Sequence, residues 1–149
     1  MWVTNLNNLP ATEFMNSKGY EYVETLTWVK TTKDGLRLLR RGGCTLWHSN
    51  ELCLVFRKFD KNFKISTVTN FRAADNTIIS PPNGKISTKP FQLYEYIEAM
   101  WKEGSGGFFE MFARPHNARY RWVSSGDEAI SYKQFKPKIV RYYHTFIQK

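Results

Sequence analysis

Apolar residues along this chain fall into short runs separated by turn signals, with few long stripes of helical spacing. Met1-Trp2-Val3-Thr4 has no cap or turn before it and reads as a strand. Leu6 to Ser17, with Pro10 near the start and Gly19 just past the end, predicts a short helix. It leads to a strand from Tyr20 to Lys30, whose Tyr, Val, Thr and Trp content suits a pleated backbone. A βαβ-like crossover is the natural connection. Leu52 to Arg57 is an almost unbroken apolar run, the pattern of a strand buried on both faces. Ile65 to Phe71 is a further strand candidate. Ala73 to Thr88 is a polar excursion in which Ser80-Pro81-Pro82-Asn83-Gly84 predicts a turn.

Pro90 at a first helical position, then Phe91, Tyr94, Ile97, Glu98 and Trp101 with Gly104 beyond, gives helical spacing, and its aromatic stripe reads as core. Phe108 to Phe112 is apolar except for Glu110 and ends at Arg114-Pro115, which predicts a buried strand feeding a loop. A second aromatic-rich strand, Tyr120 to Ser124, follows. The tail holds a helix from about Pro137 to Ile147 with one packed and one basic face. There is no internal repeat and no low-complexity segment.

At 149 residues the chain reads as one domain over 1–149. The net charge of +9 calls for an acidic partner, nucleic acid first, with solubility alone as the alternative. Aromatic residues make up 16% of the chain and supply stacking surfaces as well as core. Cys44 and Cys53 are too few for a disulfide framework and lack zinc-ligand spacing, so both read as buried thiols in a reducing compartment and no metal is expected. No apolar run approaches the roughly 20 residues of a membrane span, which predicts a soluble, intracellular protein without membrane contact.

Two stretches carry candidate chemistry. The loop from Lys33 to Trp47 bends at Asp34-Gly35 and Gly42-Gly43 and mixes Leu36, Leu38 and Leu39 with Arg37, Arg40 and Arg41. Leucines clustered in a loop suit a partner interface or a loop folded onto its own domain. Arg37, Arg40 and Arg41, with Lys138 and Arg141 in the tail, are the candidate nucleic-acid contacts. The second stretch, Arg114 to Asn117, sits at the carboxyl end of a strand, where open α/β sheets bind ligands, and offers Arg114, His116 and Asn117 as fixed donors and acceptors. His48 and His144 stand alone and read as structural or surface residues.

The same residues resemble a known family. Phe112-Ala-Arg-Pro-His-Asn117 followed by Trp122-Val-Ser-Ser-Gly126 resembles the Phe-Gly-Arg-Pro-His-Asn and Trp-(Ile/Leu/Val)-(Ser/Thr)-x-Gly-Asn-(Gln/Glu) signature of the MT-A70 N(6)-adenine methyltransferases. Trp2-Val3-Thr4, Gly19-Tyr20 through Trp28-Val29-Lys30-Thr31, and His48-Ser-Asn-Glu51-Leu-Cys53-Leu-Val resemble three further family motifs, in the family's order.

The resemblance implies an α/β, Rossmann-like class I methyltransferase fold. It is incomplete at the N-terminus, because the family's catalytic Asp-Pro-Pro-aromatic motif lies upstream of the matching start. Ser80-Pro81-Pro82-Asn83 resembles that motif only superficially, since Ser80 and Asn83 replace both working residues, and it reads as a turn. No catalytic residue is expected. Family-equivalent cofactor contacts fall on Lys89, Arg114, His116, Asn117, Asp127 and Glu128, a set altered at Ala113 and at Asp127-Glu128, where two carboxylates replace Asn-(Gln/Glu).

The function implied is a non-catalytic, methyltransferase-like subunit that pairs with an active adenine methyltransferase, stabilises it and helps to hold DNA or RNA. No cofactor is expected on this chain, S-adenosylmethionine being bound by the partner, and the location implied is nuclear. The matching family loop lies at a heterodimer interface, which favours Leu36, Leu38 and Leu39 as partner contacts. The alternatives are a fragment of an active S-adenosylmethionine-dependent adenine methyltransferase and a stand-alone basic nucleic-acid-binding module.

Overall fold

A computed structural model describes residues 1–43, 45–58, 75–84, 87–100 and 107–126. The expectations for a strand at 65–71, for a helix at 137–147, and for Cys44, Asp127, Glu128, Lys138, Arg141 and His144 lie outside these residues. The chain divides into two compact units, Met1–Lys102 and Glu103–Lys149, each with its own sheet.

The first unit is mixed α/β. Its strands are β1 (Trp2–Val3), β2 (Tyr20–Lys30), β3 (Asn50–Lys58) and β4 (Thr77–Ser80), in the sheet order β1-β3-β2-β4. β3 runs antiparallel to both of its neighbours, and β4 runs parallel to β2. β1 and β2 therefore point the same way, and helix α1 (Asn8–Ser17), entered through a 3-10 turn at Asn5–Asn7, forms the crossover between them. Gly19 ends that helix at φ +78, a left-handed conformation that costs glycine nothing, while Lys18 N–H donates to the Met15 carbonyl at 3.0 Å. The strand that follows keeps the boundaries its sequence predicts, with a bulge at Val23 between the registered positions Tyr22 and Glu24.

Alternation along β2 turns Leu26 and Trp28 to one face, where they meet Cys53 of β3, Ile78 of β4 and Leu93 of helix α2 (Phe91–Met100). Trp2, Val55, Tyr96 and Ile97 close over this core. Truncating a core leucine such as Leu26 would cost about 2–5 kcal/mol. β3 is fully buried only at Cys53 and Leu54, so the run read as buried on both faces is buried on both only at its centre. β4 lies inside the stretch read as a polar excursion. Its local apolar pattern amounts to Ile78-Ile79, and it is pairing with β2, from Thr27↔Thr77 to Lys30↔Ser80, that makes it a strand. Pro90 is buried just ahead of α2, and its carbonyl accepts from Leu93 N–H at 3.2 Å.

The second unit pairs β5 (Phe108–Met111) and β6 (Trp122–Ser125) in parallel, from Phe108↔Trp122 to Met111↔Ser125. Phe108 and Trp122 stack with ring centroids 4.8 Å apart. β5 was expected to be a buried strand, but it alternates. Phe108 is buried while Phe109 and Met111 are exposed on the opposite face. β6 begins two residues later than its composition suggests, because Arg121 sits at φ +67, outside any strand conformation.

Candidate functional site

In the first unit, a groove of about 300 Å³ opens where β2 and β3 meet the turn after β4 and the segment leading into α2. Trp28 and Lys30 are two residues apart on β2 and so share a face, and Glu51 stands opposite Trp28 in the sheet register. Trp28 is only 2% exposed, and its Nε1–H is shared between Ser80 Oγ at 3.0 Å and the Ser80 carbonyl at 3.2 Å. That indole thereby anchors the start of the Pro81-Pro82-Asn83-Gly84 turn, in which Gly84 takes φ +86.

Glu51 is the hub. Its Oε1 accepts from the Lys30 ammonium and its Oε2 from the Lys89 ammonium, the latter at 2.5 Å. Burial pushes this carboxyl upward, but the hydrogen bonds and charges of Lys30 and Lys89 outweigh it and hold the carboxyl below its ordinary range. Each lysine also lies 5.0 Å from an indole ring, Lys30 over Trp28 and Lys89 over Trp2. Leu39 and Arg41 complete one rim and Pro82 and Gly84 another. Among the described lining residues three cations, Lys30, Arg41 and Lys89, face a single carboxylate, so the groove favours an anionic ligand.

In the second unit, the loop after β5 reverses at Phe112, which takes φ +60 and is 90% exposed. A left-handed phenylalanine stores strain of about 1–3 kcal/mol. Ala113 is buried, and its N–H donates to the Ser125 carbonyl at 2.9 Å. Gly126 explains how the backbones come so close. A Cβ there would lie 2.4 Å from the Ala113 carbonyl oxygen, so only glycine fits. Pro115–Asn117 form a 3-10 turn closed by Asn117 N–H donating to the Arg114 carbonyl at 2.9 Å. The Asn117 side-chain amide donates to Glu110 Oε1 at 2.8 Å, and Ser124 Oγ is buried without a hydrogen bond among the described residues.

Of the candidate cofactor contacts, Arg114, His116 and Asn117 therefore come together on one turn, while Lys89 belongs to the first unit's groove. Leu36 and Leu38 are 81% and 52% exposed, but Leu39 is half-buried and lines the groove. Arg37, Arg40 and Arg41 are exposed. Sequence reasoning missed Glu51, Lys30 and Trp28 as a site. The signal was a carboxylate near the start of an apolar strand and a Trp-x-Lys alternation on another.

No group of three or more His, Cys, Asp or Glu side chains that could hold a metal occurs among the described residues, and none of their helices is long and apolar enough to cross a membrane.

The first unit thus carries a cationic groove on a mixed sheet, and the second an Arg-Pro-His-Asn turn at the end of a strand. The family model described as MT-A70 matches residues 1–128, and the chain belongs to that family. It is 30% identical over 143 residues to a Drosophila melanogaster protein named N(6)-adenosine-methyltransferase MT-A70-like protein, with 94% of this chain and 22% of the relative aligned. The same figures for the human N(6)-adenosine-methyltransferase catalytic subunit METTL3 are 30%, 94% and 23%. For an Arabidopsis thaliana MT-A70-like relative they are 32%, 86% and 18%, over 130 residues. The chain thus spans about a fifth of the length of the curated relatives it matches.

Proposed function

We propose that this chain is a methyltransferase-like subunit, Rossmann-like in fold and without transfer activity of its own. It assists N(6)-methylation of adenine in DNA or RNA by a partner subunit that carries S-adenosylmethionine. The observation that carries this reading is Glu51. Methyl transfer to an adenine amine needs an acceptor for the amine hydrogen and an aromatic to hold the base. Among the described residues Glu51 is the sole carboxylate lining the groove, and both of its oxygens are engaged by lysines. The turn that borders the groove offers Ser80, whose hydroxyl is engaged by Trp28, and Asn83 where an aromatic would stand. Neither group fits the acceptor's task.

The donor set also fits S-adenosylmethionine poorly. Lys89 is paired to Glu51 and the Asn117 amide to Glu110, so two of the family-equivalent contacts are satisfied within the chain. The cofactor, when bound by the partner, supplies the methyl group. This chain's part is to bury Leu36, Leu38 and neighbouring apolar surface against that partner and to extend a basic surface for the nucleic acid, in the nucleus.

The test is a methylation assay with labelled S-adenosylmethionine and adenine-containing DNA or RNA. The chain alone transfers nothing, and adding it raises the turnover of an active family member. A second reading, one part of an active adenine methyltransferase, is favoured by the fifth of its relatives' length that the chain spans. The two separate on Arg114→Ala. Turnover abolished by that substitution supports the second reading, and turnover indifferent to it supports the first.

A further inference from the structure

The connection from β4 to α2 is tied to the sheet at both ends. Ser80 accepts from the Trp28 indole N–H at its start, and Lys89 donates to Glu51 at its finish. Between these ties Ser87 sits at φ +61, a left-handed conformation that costs a non-glycine residue about 1–3 kcal/mol and is held only where its surroundings over-determine it. Ser87 is exposed and lines the groove, two residues from Lys89. Of the other two hydroxyls between Ser80 and Lys89, that of Ser80 is engaged by Trp28, and Thr88 is half-buried. Ser87 is therefore the hydroxyl of this connection that an enzyme from outside can reach.

The groove beside it is short of negative charge. Lys30, Arg41 and Lys89 line it with Glu51 as the sole carboxylate among the described residues, a surplus of two positive charges. A phosphoserine carries about −1.5 to −2 at neutral pH and offers three strong acceptor oxygens, which matches that surplus. Lysine and arginine donate to phosphoryl oxygens in short, charge-assisted hydrogen bonds. The sequence around Ser87 also says what class of enzyme installs the group. Lys85 precedes it by two positions and Lys89 follows it by two, and no Asp or Glu occurs from Asn76 to Tyr94. A kinase that reads basic residues has its determinants there, whereas one that reads acidic residues or a proline directly after the serine has none.

We propose that Ser87 is a phosphorylation site whose phosphoryl group occupies the groove, held there by Lys89 and Arg41. The Ser87 hydroxyl oxygen attacks the γ-phosphorus of ATP on a basophilic protein kinase, the hydroxyl proton passes to the kinase's base, and ADP leaves as the phosphoanhydride bond breaks. The dianion then competes with Glu51 for Lys89, leaves Glu51 to Lys30, and joins the approach to α2 to the β2–β3 segment through Arg41. The modified chain has a filled and neutralised groove, so the modification switches off the groove's attraction for any other anion. This goes beyond the proposed function and does not depend on it.

The test uses the full chain with phosphoserine installed at position 87 during translation. Followed by phosphorus NMR, its phosphate is expected to titrate at lower pH than in the same chain unfolded in urea, because the groove's cations favour the dianion. Lys89→Met and Arg41→Gln each move the titration back toward the unfolded value. Thermal melts show whether each variant is folded, and Arg41→Gln carries the comparison where Lys89→Met is not. A basophilic kinase given the folded, unmodified chain and ATP is expected to modify Ser87, read by mass spectrometry. Inorganic phosphate separates a tethered group from a free one. Phosphoserine raises the melting temperature, whereas inorganic phosphate at the protein's own concentration leaves that of Ser87→Ala unchanged. A phosphoserine that titrates as in the unfolded chain overturns the proposal, as does a shift that survives both substitutions in folded protein. So does a kinase that reaches Ser87 only after the chain is unfolded. Equal stabilisation of Ser87→Ala by inorganic phosphate overturns it too, since the groove then serves a free anion.

Discussion

Lys89 reaches Glu51 across the groove, its Nζ 2.5 Å from Oε2, and so ties the segment before α2 to β3. Lys30 holds the other oxygen of the same carboxylate. Removing the carboxylate leaves two ammoniums facing each other in a partly buried site. Glu51→Gln should therefore destabilise the chain by about 1–3 kcal/mol, read from denaturant unfolding. Lys89→Met, which leaves Glu51 one partner, should cost less. Equal stability of Glu51→Gln and wild type would show the triad to be a solvated surface cluster.

The same cluster sets a pH dependence. Glu51 has a folded pKa below its ordinary value of 4.5, so the unfolded chain takes up the proton first. Its contribution is fully present above pH 4.5 and is lost as pH falls through the lower, folded value. Unfolding free energies followed downward from neutral pH should fall below that point, and the fall should be shallower in Glu51→Gln. Asp34, held low by Thr32 and the Leu36 N–H, leaves some acid sensitivity in the variant.

Gly126→Ala places a methyl group against the Ala113 backbone, where no flexible side chain can yield. Overpacking of this kind costs about 1–3 kcal/mol. The expected signature is a lowered melting temperature with the Phe108–Trp122 stacking signal weakened in near-ultraviolet circular dichroism. Gly84→Ala, which meets nothing within 4 Å and pays only for its positive φ, is the milder control.

Association with a methyltransferase subunit should depend on the turn that the Thr31–Leu38 bridge closes between β2 and β3. Leu36 and Leu38 are its exposed apolar residues, whereas Leu39 faces the groove. Leu36→Asp with Leu38→Asp should abolish co-elution by size exclusion and leave the isolated chain's melting temperature within a degree or two, because neither side chain supports the core. A complex that survives both substitutions places the interface elsewhere.

Bulk nucleic-acid affinity should fall steeply with salt. Five phosphate contacts, from Arg37, Arg40, Arg41, Lys138 and Arg141, predict a log-log slope of about −4 to −5 on duplex DNA. Reversing the three arginines should remove more than half of that slope at every sequence tested. A flat salt titration would assign the +9 charge to solubility.

The sequence by itself determined what local chemistry controls. The bounds of β2 follow from a pleat-forming run punctuated by Gly19, the end of α1 from the same glycine, and the start of α2 from Pro90. Family membership was also legible, because it rests on short motifs in order, such as Arg114-Pro-His-Asn117. Tertiary structure decided the rest. β4 exists because β2 offers it hydrogen bonds, a partner that no window of sequence around Thr77–Ser80 contains. Glu51, Lys30 and Lys89 are 21 and 38 residues apart along the chain and become one charge cluster only when β2, β3 and the approach to α2 converge. Likewise Leu39, three residues from Leu36 and alike in composition, turns to the groove while Leu36 stays in water. Propensity and motif are properties of neighbours in sequence, whereas pairing, burial and charge compensation are properties of neighbours in space.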